Sequence, residues 1–162
     1  MTDRYRSIID AHILLRRAGE ILLAQRAGDV YASGQYGLPS GHLEQGESIL
    51  DAVIRETEEE VGIVLEPAAL RMVLVMHQRN PGGHARIGFF FEPLRWDGEP
   101  VNREPAKCSG LLWADPDNLP AQTVPYTAAA ISRIQEGATF ALNGWDQPAS
   151  YRTGTAAGSW PP

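Results

Sequence analysis

Gly41-His42-Leu43-Glu44-Gln45-Gly46-Glu47-Ser48-Ile49-Leu50-Asp51-Ala52-Val53-Ile54-Arg55-Glu56-Thr57-Glu58-Glu59-Glu60-Val61-Gly62-Ile63 is the segment from which the rest of this chain is best understood. Its apolar spacing predicts a helix, and Glu56, Glu58, Glu59 and Glu60 crowd the end of it. The carbonyl end of a helix carries partial negative charge, so each acid there costs roughly tenths of a kcal/mol. Glutamates three and four apart repel by a similar amount. A bound divalent cation would relieve both penalties.

Helical periodicity places Glu56, Glu59 and Glu60 on one stripe and turns Glu58 away. Ile49, Leu50, Val53, Thr57 and Val61 form a second, apolar stripe roughly 110° round. Three carboxylates are therefore expected at the margin of a buried seam. Hard oxygen donors suit Mg2+ or Mn2+, which share their shell with phosphates. Zinc fits poorly, because no His or Cys stands at a ligand spacing.

The helix ends are marked as clearly as its faces. Ser48 is the expected N-cap, with Asp51 completing a capping-box variant and Glu47 beside the positive end. Gly62 stands where a left-handed C-terminal residue is expected. Upstream, Tyr36 to Gly41 predicts a short strand entering a tight loop that brings Glu44 beside the helix. Arg55 is placed to pair with Glu47 and hold loop against helix. An acidic helix face is by itself most often a solvated surface, so the glutamates alone do not define a site.

The full arrangement is more specific: Gly-x5-Glu-x7-Arg-Glu-U-x-Glu-Glu-x-Gly-U, with U aliphatic. Gly41, Glu47, Arg55, Glu56, Glu59, Glu60, Gly62 and Ile63 fill its named positions, and Thr57 is the one soft mismatch. The chain thus resembles a Nudix hydrolase of the MutT-like branch. Further matches are Arg95-Trp96-Asp97-Gly98-Glu99-Pro100, then Arg103-Glu104, then Leu119-Pro120 and Pro125. The resemblance covers about the first 140 residues. It implies metal ligation by Glu56, Glu59 and Glu60, with Glu104 joining the site and the Ser40 carbonyl as a further ligand. Many members carry glycine where this chain has Ser40, so that loop must tolerate a Cβ. The resemblance also implies an arginine at the position of Arg26 that binds a substrate phosphate, while Gly41 lets substrate approach. Glu47 and Arg55 support the site.

The implied reaction is hydrolysis of a phosphoanhydride in a nucleoside diphosphate linked to another group. A (modified) nucleoside triphosphate, giving a monophosphate and pyrophosphate, is the first expectation. The fold implied is α/β, an α/β/α sandwich with a mixed sheet. A divalent ion neutralises phosphate oxygens and activates water, and Glu44, Glu56 and Glu104 are the candidates to take the water's proton. ADP-ribose or an NDP-sugar is the alternative substrate class, and a non-catalytic nucleotide sensor is a second alternative. Trp96, Tyr36 and Phe90 are able to stack on a base, although packing is the commoner use of each. His42, His77 and His84 show no partner pattern and read as structural or substrate-edge groups.

Composition agrees with one domain over residues 1–146, followed by a Gly/Ser/Thr/Ala/Pro-rich tail over 147–162 that predicts mobility. Net charge is −6, so the global field does not attract a nucleic acid polymer, and the polyanionic substrate must be met locally. Cys108 is alone, which fits a reducing cytoplasm. No basic-then-apolar leader opens the chain and no run reaches membrane-spanning length. Strands are expected over Ser7 to Arg16, Ile21 to Gln25, Leu70 to His77, Ala85 to Glu92 and Ser109 to Trp113, and a helix over Ala128 to Gln135. An exposed edge strand would allow a homodimer.

Overall fold

Residues 4–145 are described by a computed structural model. The predicted tail over 147–162 lies outside them. The chain runs β1 (Ile8–Ile13), β2 (Arg16–Arg17), β3 (Glu20–Arg26), β4 (Tyr36–Gly37), β5 (Ser40–His42), α1 (Ile49–Val61), a 3-10 turn (Pro67–Ala69), β6 (Leu70–Arg79), β7 (Ala85–Pro93), β8 (Cys108–Ala114), α2 (Pro125–Gln135) and β9 (Phe140–Asn143). A five-stranded mixed sheet has the order β5-β1-β7-β6-β9, with β1 parallel to β7 and β6 parallel to β9. A smaller antiparallel sheet is centred on β3, which pairs with β2, β4 and β8.

The expected α/β/α sandwich is present, but its strands are divided between two sheets. Two local breaks cause this. The single strand expected from Ser7 to Arg16 changes sheet at Leu14-Leu15, where Leu14 N–H donates to Phe91 O and Leu15 O accepts from Leu22 N–H. The short strand expected before the helix also splits, because Pro39 has no N–H for a ladder. Tyr36–Gly37 therefore joins one sheet and Ser40–His42 the other.

Strand alternation then sorts the core onto two faces. Ala11, Ile13, Leu15, Leu22 and Phe91 pack under α1 with Ala52, Val53 and Val61. Leu14, Ile21, Leu23, Leu74, Met76 and Phe90 pack under α2 with Ala130 and Ile131. α2 begins at Pro125, three residues earlier than expected, since proline at the first helical position lacks only an N–H that would have no helical partner. β9 was not foreseen: a four-residue strand between Gly137 and Gly144 gives too short a pattern.

Candidate active site

The site is built around α1. Ser48 Oγ accepts from Asp51 N–H and the Asp51 carboxylate accepts from Ser48 N–H, so the capping box forms as expected. Gly62 closes the helix at φ 73°, the left-handed conformation that favours glycine. Thr57 is buried and donates its hydroxyl to Val53 O at 2.6 Å, which explains how a polar side chain replaces an aliphatic one there.

A strap from β7 to β8 crosses the far end of the helix. Val101 N–H donates to Val61 O and Arg103 N–H to Glu60 O, each at 3.0 Å, while Arg103 Nη1 donates to Glu58 O at 3.2 Å. These contacts satisfy carbonyls that the helix leaves open and set a cation at its negative end. They also bring Glu104 beside Glu60. Asn102 secures the turn by donating to Cys108 O at 2.6 Å and accepting from Glu104 N–H at 3.1 Å.

Glu60 turns toward β5, where its carboxylate accepts Ser40 N–H at 2.8 Å. Its pKa is pushed up to about 8, first by burial and then by Glu56 and Glu104; Ser40 N–H and Arg26 offset only part of this. Gly41 is required on steric grounds: an added Cβ would overlap the Glu56 carboxylate. Ser40, the departure from the usual glycine, lies outside the positive-φ region and its Cβ is accommodated.

Glu56 and Glu59 also engage Arg55. Arg55 binds Glu47 in bidentate fashion at 3.0 and 2.8 Å and reaches Glu56 at 2.7 Å, Glu59 at 3.3 Å and His42 O at 3.2 Å. The expected Arg55–Glu47 brace is thus one part of a larger clamp. Glu59 is left on the rim, with its side chain 54% exposed. Glu44 is exposed and tied in through its backbone N–H, which donates to Glu47 Oε1 at 2.8 Å. Lys107 holds Glu104 at 2.8 Å. Among the described residues no three acidic, His or Cys groups are gathered as a ready-formed metal site. Of the three glutamates on the expected stripe, Glu56 and Glu59 pair with Arg55, while Glu56 and Glu60 both lie against β5, at Gly41 and Ser40. The all-oxygen donor set and the strained ionisation of Glu60 nonetheless suit a hard divalent cation.

Arg26 sits at a register shift in the β3–β8 ladder, which redirects it. Its Nε donates to Tyr31 O at 2.6 Å, and its charge is felt at Glu60.

The opposite face of the five-stranded sheet holds polar groups that the sequence reading missed. Pairing aligns Asp10 with Gly88 and His42, and His12 with Phe90 and Ser40. Asp10 is 4% exposed, yet it meets His42 Nδ1 at 2.6 Å and Arg86 Nη1 at 3.1 Å. His12 stacks on Phe90 at 4.3 Å, and burial pulls its pKa down to about 4. His12 Nε2, Gln78 Oε1 and the Tyr126 hydroxyl are buried without hydrogen-bond partners. Gly88 makes room for Tyr126, since a Cβ there would overlap the hydroxyl. The available signal was Asp10 and His12 two apart inside an apolar strand. Phe90 is fully buried, and Trp96 packs near Trp113 and Arg17 on the α1 side, so both serve packing, whereas Tyr36 is half-buried against the α2 core. His77 lies against Trp145, and His84 closes the Asn80 turn.

The NUDIX domain family model matches residues 6–133. This chain belongs to the Nudix hydrolase family. Its relatives place it with MutT-like members: it is 30% identical over 118 residues to the 8-oxo-dGTP diphosphatase of Escherichia coli (strain K12), covering 72% of this chain and 89% of that protein. A crystal structure of a MutT NUDIX hydrolase from Burkholderia pseudomallei superposes with a TM-score of 0.71 at 29% identity, covering 79% of this chain and 98% of that one. Similarity to the ADP-ribose pyrophosphatase of Methanocaldococcus jannaschii is shorter, 34% over 71 residues, or 44% of this chain and 41% of that protein. The fold and the pyrophosphohydrolase class expected from the 41–63 segment therefore hold.

Proposed function

We propose that this enzyme hydrolyses a (modified) nucleoside triphosphate to a monophosphate and pyrophosphate, using Mg2+ or Mn2+. The observation that carries this reading is Glu60, a carboxylate held against Ser40 N–H, with Glu56 and Glu104 close enough to oppose its ionisation. Glu60, Glu56 and Glu104 would hold the cation, with Glu59 and the Ser40 carbonyl at the margin. When bound, the ion neutralises phosphate oxygens and activates the attacking water. Arg55 fixes the loop through Glu47, and Gly41 keeps the space beside Glu56 open. Arg26 meets a phosphate. Of the three candidate bases, Glu56 and Glu104 act at Glu60, whereas Glu44 is exposed on its loop.

The unpartnered polar groups beneath α2, His12 Nε2, Gln78 Oε1 and the Tyr126 hydroxyl, are the groups proposed to meet the base. His12 is neutral there, and burial keeps the Tyr126 phenol protonated, so a base edge meets uncharged donors and acceptors. The relative in Escherichia coli is named for an oxidised guanine nucleotide, which supports a modified triphosphate as substrate. The shorter similarity to an ADP-ribose pyrophosphatase supports a second reading, ADP-ribose or an NDP-sugar. Retention of every box carboxylate argues against a non-catalytic sensor.

No helix among the described residues is long and apolar enough to cross a membrane. The lone Cys108 supports a cytoplasmic setting, and the exposed Phe140 and Leu142 on outer strand β9 support pairing with a second copy. Residues 1–146 are taken as the catalytic domain. A panel of nucleoside triphosphates, ADP-ribose and NDP-sugars, with Mg2+ and Mn2+, tests the substrate. Pyrophosphate plus a monophosphate is expected; two monophosphates would shift the assignment to the linked substrates, and binding without turnover to the sensor.

A further inference from the structure

Lys107 is the cation at this site with an exposed, flexible stem. Its side chain is 64% exposed, its ammonium lies 2.8 Å from Glu104 Oε1, and it feels the charges of Glu56 and Glu60. Arg55, by contrast, is committed to Glu47, Glu56, Glu59 and His42 O.

The backbone of Lys107 is held more firmly than its side chain. Lys107 N–H and Cys108 N–H both donate to Glu104 O at 2.9 Å, closing a tight turn. Ala27 N–H donates to Lys107 O at 2.7 Å. At Gly28 an added Cβ would lie 2.6 Å from Ala106 O, so the chain leaving β3 and the Glu104–Lys107 turn are in backbone contact. This contact ties the segment that begins with Arg26 to the turn that carries Lys107. Two cations on separate segments thereby flank the same carboxylates.

We propose that Lys107 is a counter-ion with two successive partners: Glu104 before a divalent cation binds, and a substrate phosphate oxygen once Glu104 has engaged that cation. The inference rests on the reading of Glu56, Glu60 and Glu104 as the ligand set. Its physical basis is simple. A fixed positive charge beside a carboxylate competes with any second cation, and the same charge attracts a phosphate once the carboxylate is occupied. Lys107 should therefore weaken metal binding and strengthen substrate binding. A side chain that only stabilised the turn would, on removal, weaken both.

The experiment compares wild type, Lys107→Ala and Lys107→Arg by Mn2+ titration without nucleotide, followed by EPR, and by steady-state kinetics on the best triphosphate of the panel. For Lys107→Ala the Mn2+ Kd should fall about three- to tenfold at low salt, with the gap narrowing as ionic strength rises. KM should rise about tenfold with kcat within about twofold, since binding common to ground and transition states is what is lost. Lys107→Arg keeps the charge, so its Mn2+ Kd should lie nearer to wild type than that of Lys107→Ala. A Kd and KM that both rise in Lys107→Ala would overturn the exchange in favour of a structural role. An unchanged Kd, or a tighter Kd with unchanged KM, would also overturn it. Failure of the wild type to bind Mn2+ is the separate outcome that removes the ligand set, and this inference with it.

Discussion

Replacing Glu60 with glutamine separates the electrostatic cost of the site from its packing. Glutamine keeps the shape and can still accept Ser40 N–H, the 2.8 Å contact that orients the group. It removes only the charge. The folded pKa of about 8 lies above the ordinary 4.5, so the native state binds the proton more tightly than the unfolded chain does. That contribution is fully present below about pH 4.5 and is lost as pH rises toward about 8, beyond which the penalty is constant. At about pH 7.5 the full penalty would be about 4 kcal/mol, and residual solvent contact reduces the expectation to about 2 kcal/mol. A chain of this size then melts about 4–8 °C higher as Glu60→Gln than as wild type in EDTA near pH 8. The two should melt together near pH 4. Thermal melts by circular dichroism across this range, with and without Mg2+, measure the gap. Mg2+ should raise the wild-type Tm and leave the variant unmoved, while turnover falls by about a hundredfold or more. A gap that is absent in EDTA, or the same at every pH, would refute the assignment of Glu60 as the uncompensated charge.

Two further substitutions probe the supports. Arg55→Lys keeps the charge but loses the fork that reaches Glu47, Glu56, Glu59 and His42 O together. Its kcat should drop about ten- to a hundredfold with the helix retained by circular dichroism; wild-type kcat would show that charge alone suffices. Tyr126→Phe removes a hydroxyl that has no protein partner, so the melting temperature should hold or rise slightly. KM for the preferred nucleotide should rise about tenfold if that hydroxyl reads the base, and unchanged selectivity across the panel would place the base away from Tyr126.

The local devices around α1 were legible because each is written within a few residues. Ser48 with Asp51, Gly62 at the C-terminus and the Arg55–Glu47 pair all formed as their spacing required. Strand directions could be read, but sheet membership could not, because Leu14-Leu15 and Pro39 transfer the chain between sheets through pairings with distant segments. Glu104 entered by resemblance alone. Its place beside Glu60 follows from Val101 and Arg103 bonding to the end of α1, contacts that no periodicity encodes. The buried polar cluster beneath α2 was hidden for a related reason. Asp10 and His12 on β1, Gln78 on β6 and Tyr126 on α2 come from two strands and one helix, and only the β1–β7–β6 register aligns them.

The acidic end of α1 first presents itself as a cluster of equal penalties, and the fold removes them unequally. Arg103 meets the Glu58 carbonyl, Arg55 answers Glu56 and Glu59, and Lys107 answers Glu104. Glu60 receives only the Ser40 N–H, a weaker neutral donor, and the distant pull of Arg26. The cost of assembling the carboxylates is thereby concentrated on one group, and the others are held in place by cations. In the proposed metal site, most of the electrostatic gain from binding an ion would therefore fall at Glu60. Placing a full cation partner there would stabilise the metal-free chain and remove the incentive to bind. If Glu60 is a ligand as proposed, the absence of a close positive side chain beside it, among the described residues, would favour binding of a divalent ion.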